Sequence, residues 1–531
     1  MARILIADDD PDQLELRQLL LEHAGYEVKS ALTVDETLFH LNEWHPSAVV
    51  MDLRMPSLNE GLRLIRGIRS SEVATSIVVT SGWPADLYGR EEYEMIDHLL
   101  SKPVATAKLL KLLSTLCMLI VMLCSTLRAD STTPFTVSEK AETIAEVELN
   151  SPGADWAKPG FEAALAELVL DGAKTIHIMT YAGAKPHKYN VLLGELTAGS
   201  HSLTITRNEL YSAPGAGLEV RGVTFHKATD RDVAANTPYL YARANTIGKF
   251  TDIPLILYCE RLVEKGVPVL QYTVIFSNED GGTSTRGLMA RWGRTTDVEY
   301  VYRAFPDHAT IQARGHKEVV YDGPRDGRHP LLMPVTDNNM VAGEGPSPIR
   351  YQIPAVMADL TKASREQVMD DYPITWRVMA KELIREEKLR PFGVVDGEKI
   401  SDPRNYLYIE ANVNVRGGRI AAIARLKGDP RWRMANLGRF DLAIERSGWI
   451  RTTVELPPGT RPDQVAEIGF QCLAEKVAGT CRVDSVRQAF LLGEDYLPRP
   501  SLFSTPAGKI EFASGEAFTW TIKFAPADAV K

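Results

Sequence analysis

Four short apolar runs in the first hundred residues each stop on polar side chains, and this constrains the chain more than anything else in it. Ile4–Ala7 stops at Asp8 and Asp9, Ala48–Met51 at Asp52, Ile77–Val79 at Thr80 and Ser81, and Leu99–Leu100 just before Lys102. A fainter apolar run surrounds Val28. Helical spacing separates them, as in Leu16, Leu19, Leu20 and Ala24, or in Leu62, Ile65 and Ile68. Strand–helix alternation repeated five times predicts a doubly wound, five-stranded parallel sheet with helices on both faces. Buried parallel strands read as nearly continuous Val, Ile and Leu, and these do.

In such a sheet, ligands bind beyond the carboxyl ends of the strands. Three carboxylates, a hydroxyl and an ammonium are therefore expected on one rim. Clustered carboxylates repel unless a hard cation neutralises them, and Mg2+ takes oxygen ligands while keeping several waters. A carboxylate can attack phosphorus and form an acyl phosphate. Lys102 suits the charge on a transferred phosphoryl group, and Thr80 can donate a hydrogen bond to it.

These stretches resemble the response-regulator receiver family: Ile4-Leu-Ile-Ala-Asp-Asp-Asp-Pro-Asp, Val49-Val-Met-Asp-Leu-Arg-Met-Pro, Val78-Val-Thr-Ser and Leu100-Ser-Lys-Pro-Val. The resemblance covers residues 2 to about 116 and implies a flavodoxin-like receiver. It implies that Asp8, Asp9, Asp52 and the backbone carbonyl of Arg54 hold Mg2+, and that Asp52 is the phospho-acceptor. It makes Thr80 the switch hydroxyl, Lys102 the phosphate-sensing lysine and Asp10 peripheral. The implied partner is a histidine kinase or phosphotransfer protein. Such a domain accepts and hydrolyses its own phosphoryl group. The sequence departs from the family at Leu99, where an aromatic readout residue is usual. Gly61 comes one residue later than usual after Met55-Pro56, and Ser81 replaces a smaller residue.

Charge separates the two parts of the chain. Residues 1–104 carry 9 Lys and Arg against 18 Asp and Glu, a net of −9 that equals the whole chain's. Residues 105–531 therefore balance, and no part has the strongly basic composition of a nucleic-acid binder.

Lys108 and Lys111 precede Leu112–Leu127, sixteen residues without a charge. The run lies between a signal-peptide core and a membrane span in length. Three readings fit it: an inner-membrane signal-anchor with a cytoplasmic receiver and an extracytoplasmic C-terminal part; a join of two once separate units, the second beginning as a secreted protein; and a buried helix in a wholly cytoplasmic protein. The two lysines favour an inside N-terminus.

From about Ser131 alternating runs appear, such as His201–Thr206, Leu270–Phe276 and Tyr406–Val413, punctuated by Gly, Pro, Asn and Asp. They predict antiparallel β-sandwiches, with helical stretches chiefly at Phe161–Leu170 and Ser364–Lys388. The organisation read from this is a receiver at 1–116, an apolar segment at 112–128, a sandwich at 131–235, a β-rich middle domain at 236–395 and a jelly-roll-like sandwich at 396–531. The stretches Tyr189–Ile205 and Gly479–Arg487 resemble carbohydrate-binding jelly rolls, which gives a second functional reading: a carbohydrate-binding or carbohydrate-active protein fused to a receiver. The middle is densest in polar chemistry, with Glu279, Asp280, Asp297 and Asp337 beside Gly or Asn. Such loops can hold Ca2+, paired carboxylates such as Glu279 and Asp297 can serve glycoside hydrolysis, and plain turn chemistry also accounts for them. Trp292 between arginines can stack on a sugar or fill a core. No nucleophile elbow, Walker loop, HExxH or CxxC pair is present. Cys472 and Cys481 read as opposed residues of a hairpin in reach of a disulfide, which an oxidising compartment would form.

Overall fold

The computed structural model describes residues 3–113 and 131–522, apart from 25, 45, 72–74, 103, 105–107, 111, 244, 280, 344, 346, 395–397, 475–478, 506 and 507. The chain divides into two compact units, Met1–Ala129 and Asp130–Lys531.

The first unit is a five-stranded parallel sheet in the order β2-β1-β3-β4-β5. Its strands are β1 (Arg3–Ala7), β2 (Glu27–Ala31), β3 (Ala48–Asp52), β4 (Ser76–Ser81) and β5 (His98–Ser101), with helices α1 (Pro11–His23), α2 (Val34–Trp44) and α3 (Leu58–Ser70). Successive strand residues point to opposite faces, and both faces are covered. Leu5, Val49, Met51, Ile77 and Val79 pack against Val34 and Leu41 of α2 and against Leu62, Ile65 and Ile68 of α3. Ile4, Ile6, Ala48, Val50 and Val78 pack against Leu14 and Leu21 of α1 and against Leu109 and Leu113. A side chain at Gly61 would place its Cβ 1.8 Å from the Leu53 carbonyl oxygen, so α3 can lie this close behind the β3 loop only through a glycine.

Two expectations change here. The leucines that mark α1 as helical do not mark its buried face: Leu16 and Leu19 are more than half exposed, and the core takes Leu14 and Leu21 instead. Inner-membrane anchoring is also corrected. Leu109 and Leu113, which bracket the start of the apolar run, are core residues of the first unit. Among the described residues no helix is long and apolar enough to cross a membrane. The rest of that run, residues 114–127, lies outside the described residues.

The second unit is built mostly from antiparallel sheets. Its first sandwich faces strands Ala141–Asn150, His187–Leu196 and Glu219–Lys227 against Ser131–Val137, Leu165–Leu170, Lys174–Met179 and Gly199–Asn208. Val147, Leu149, Leu168, Ile176, Leu203 and Ile205 fill the space between. The middle carries a six-stranded sheet running from Lys317–Val320 to Val356–Met357. The last sandwich sets strands Tyr406–Arg416, Gly448–Glu455 and Thr480–Phe490 over Arg419–Leu426, Val465–Leu473 and Ala517–Thr521.

Phe161–Leu170 is not a helix. Leu165–Leu170 is a strand paired on both sides, with Gly199–Asn208 and with Lys174–Met179. Its Ala, Leu and Glu content favours a helix, and an interior place in the sheet overrides that preference. Ser364–Lys388 does hold two helices, at Gln367–Asp371 and Ile374–Arg385. The jelly-roll-like stretches are ordinary sandwich strands whose apolar residues, such as Val191, Leu193, Leu203, Val483 and Val486, enter the cores.

Cys472 and Cys481 form a disulfide, Cα–Cα 5.6 Å, but not across a hairpin. Val465–Leu473 pairs with Arg419–Leu426 and Ala517–Thr521, whereas Thr480–Phe490 pairs with Tyr406–Arg416 and Ile510–Ala513. The bridge therefore joins the two sheets of the last sandwich through its core.

Candidate phospho-acceptor site

Parallel register brings the strand ends of the first unit level. Asp52 pairs with Thr80 across β3 and β4, and Ser81 pairs with Ser101, so Lys102 follows directly on the rim. Asp8 is buried, Asp9 exposed and Asp52 nearly buried. One carboxylate oxygen from each lies within 4.8 Å of the others. Oxygen ligands from three carboxylates on a water-facing rim fit a hard divalent cation such as Mg2+.

The neighbouring side chains balance this charge. Lys102 Nζ lies 2.8 Å from Asp52 Oδ1 and 3.2 Å from Asp8 Oδ2. Arg17, reaching over from α1, lies 3.1 Å from the same Asp8 oxygen. The Arg54 backbone N–H donates to Asp52 Oδ2 at 3.2 Å, while the Arg54 side chain binds Asp86 and stacks over Trp83. Thr80 is fully buried and donates its hydroxyl to the Met51 carbonyl at 3.1 Å. Ser81 Oγ accepts from the Trp83 N–H. Asp10 accepts from Asp12 and Gln13 N–H groups as the cap of α1, which occupies its carboxylate outside the cluster. Leu99, at the usual aromatic position, is half-buried against the apolar core.

A family model for the response regulator receiver domain matches residues 4–114. PilH of Pseudomonas aeruginosa is 32% identical over 114 residues, which cover 21% of this chain and 93% of PilH. The chain belongs to the response regulator receiver family. PrrA of Mycobacterium leprae, a transcriptional regulatory protein, is 33% identical over 79 residues; the match takes in 15% of this chain and 34% of PrrA, so the chain spans about a third of that relative. Among solved structures, a CheY-like receiver domain from Methylobacillus flagellatus aligns at 28% identity over 22% of this chain and 98% of that chain, with a TM-score of 0.21.

The receiver thus brings Asp8, Asp9, Asp52, Thr80 and Lys102 together at one place. Arg17 is the neighbour that strand-end reading misses. Its signal is positional: it stands three residues after Leu14 and four before Leu21, on the buried stripe of α1, where a charge needs a partner.

Outside the receiver, the acidic loops behave differently. Asp297 is buried and accepts from Asn339 Nδ2 at 3.0 Å. Burial, and after it the charges of Glu299 and Glu279, holds its carboxyl well above the usual range. Glu279 accepts from the Thr283 N–H, and burial raises it too. Asp337 is exposed and pairs with Arg243. Asp280 lies outside the described residues. Among the described residues the acidic group with metal-ligand spacing is the receiver's, and acids raised by burial make a poor Ca2+ cage. Trp292 lies under two guanidinium groups, those of Arg291 and Arg446.

Proposed function

We propose that this receiver takes a phosphoryl group on Asp52 from a histidine kinase or phosphotransfer protein, with Mg2+ held by Asp8, Asp9, Asp52 and the Arg54 backbone carbonyl. The observation that carries this is the closure of three carboxylates to within 4.8 Å beside the Lys102 ammonium. A bound Mg2+ supplies positive charge that offsets the phosphoryl oxygens. An Asp52 carboxylate oxygen forms the new bond to phosphorus as the bond to the donor's leaving group breaks. Lys102 then exchanges its contact with the Asp52 carboxylate for one with a phosphoryl oxygen. Thr80 turns its hydroxyl from the Met51 carbonyl to a phosphoryl oxygen, and that movement reports the modified state. With Leu99 at the aromatic position, the readout runs through Thr80 and the loop after β4.

The test uses the full chain with Mg2+ and acetyl phosphate. The wild type should gain one phosphoryl group, measured by intact mass, and Asp52→Asn should gain none. Asp10→Asn should keep most of the gain, because Asp10 caps a helix. Labelled Asp52→Asn protein would sink the assignment.

A further inference from the structure

Leu99 puts an aliphatic side chain where an aromatic readout residue is usual. A ring stands instead in the loop after β4. This is Trp83, which is 62% exposed. Exposed apolar residues scattered singly are ordinary, but this one is held from two sides. Its backbone N–H donates to Ser81 Oγ at 3.0 Å. Its ring lies under the Arg54 guanidinium, with Cζ 4.5 Å from the ring centroid, a cation–π contact. The same guanidinium donates from Nε at 3.1 Å and from Nη2 at 2.7 Å to Asp86 Oδ2.

Both holds lead back to the phospho-acceptor. The Arg54 N–H donates to Asp52 Oδ2 at 3.2 Å, so one residue touches Asp52 with its backbone and the Trp83 turn with its side chain. Ser81 follows Thr80, whose hydroxyl is bonded to the Met51 carbonyl.

The turn itself is short and held at its far end. Between β4 and β5 the chain forms two single-turn 3-10 helices, Pro84–Asp86 and Glu91–Tyr93. Gly82 precedes Trp83, with open space where a side chain would stand. Small residues at the ends of elements often serve as hinges. Leu87 is fully buried among the core residues of β3, β4, α2 and α3, so it anchors the other side. Arg54 and Asp86 are both partly exposed. Ion pairs of that kind are weak, and a weak latch can be opened by a change at Asp52.

We propose that Arg54 is a latch between the phospho-acceptor and the turn at 82–86, and that Trp83 is the ring whose displacement reports phosphorylation. This rests on Asp52 being the phospho-acceptor. An acyl phosphate removes the carboxylate charge from Asp52 and so weakens its bond to the Arg54 N–H. Thr80, turning to a phosphoryl oxygen, carries Ser81 with it. Both holds on Trp83 then change together, and the ring leaves the guanidinium.

The test is fluorine NMR of the full chain carrying fluorotryptophan, with intact mass measured on the same sample. The chain has eight tryptophans, and Trp83→Phe identifies the Trp83 resonance by its loss. With Mg2+ and acetyl phosphate, the gain of one phosphoryl group should come with a shift of that resonance. Asp86→Ala frees the Arg54 side chain while leaving Arg54 in place. This variant should keep the phosphoryl gain and lose most of the Trp83 shift. A phosphorylated wild type with an unmoved Trp83 resonance overturns the latch and leaves the Asp52 assignment standing. A full Trp83 shift in phosphorylated Asp86→Ala overturns the part given to Arg54. No phosphoryl gain in the wild type overturns the Asp52 assignment and the latch with it.

Discussion

The receiver rim and the middle acidic loops use the same residue types to opposite ends. Asp8, Asp9 and Asp52 end parallel strands on an edge that water reaches, with Lys102 and Arg17 against them. Asp297 and Glu279 sit inside the β-rich unit, where burial raises both carboxyls. At the rim, three carboxylates close to within 4.8 Å of one another can be offered to a cation. In the interior, burial disfavours the charged form of the acid. Counting acids in a sequence cannot separate these cases, because the difference lies in solvent access.

The largest test of this contrast is Asp9→Ala in the receiver. Mg2+ affinity, read by calorimetry on the full chain, should fall at least about tenfold, since one of three charged ligands is gone. Unchanged Mg2+ binding would remove the contrast. Arg17→Ala works in the other direction. Arg17 neutralises Asp8 where a cation would bind, so its removal should tighten Mg2+ binding by about three- to tenfold at low salt. Weaker binding in this variant would mean that Arg17 holds Asp8 in place instead of competing for it.

The smallest effect is expected in the interior. Asp297→Asn keeps a carbonyl oxygen for the Asn339 amide and removes an ionisable group. Near pH 4 the variant should match the wild type to within about 1 kcal/mol in unfolding free energy. Because the folded-state pKa of Asp297 is raised, the stability it contributes is present below the unfolded carboxylate range and is lost as pH rises towards the folded value. Asp297→Asn should therefore gain on the wild type as pH is raised from about 4 to 8. A variant that loses ground over this range would show that Asp297 is ionised in the folded chain.

The receiver was legible because its site is assembled from strand ends, and each end is marked locally by an apolar run followed by a polar residue. The weaker readings failed where neighbours in space decide the outcome. The apolar leucines of α1 identify a helix, yet the sheet takes Leu14, Arg17 and Leu21 as the inner stripe. Leu165–Leu170 has helical composition and becomes a strand because partners lie on both sides. A pocket of the β-rich unit draws on stretches from residue 177 to residue 374, and no local pattern connects them. Cys472 and Cys481 lie close because two sheets face each other, not because their strands pair, and sequence spacing does not distinguish the two.

That last difference changes how the final sandwich can breathe. A bridge within one sheet would leave the other free to lift away. Cys472 and Cys481 instead rivet one layer to the other close to Leu473, where one strand ends, and Thr480, where the other begins. Any fluctuation that parts the layers must start at the far edge and pivot about the rivet, so the amides flanking the two cysteines should be among the last to exchange with solvent.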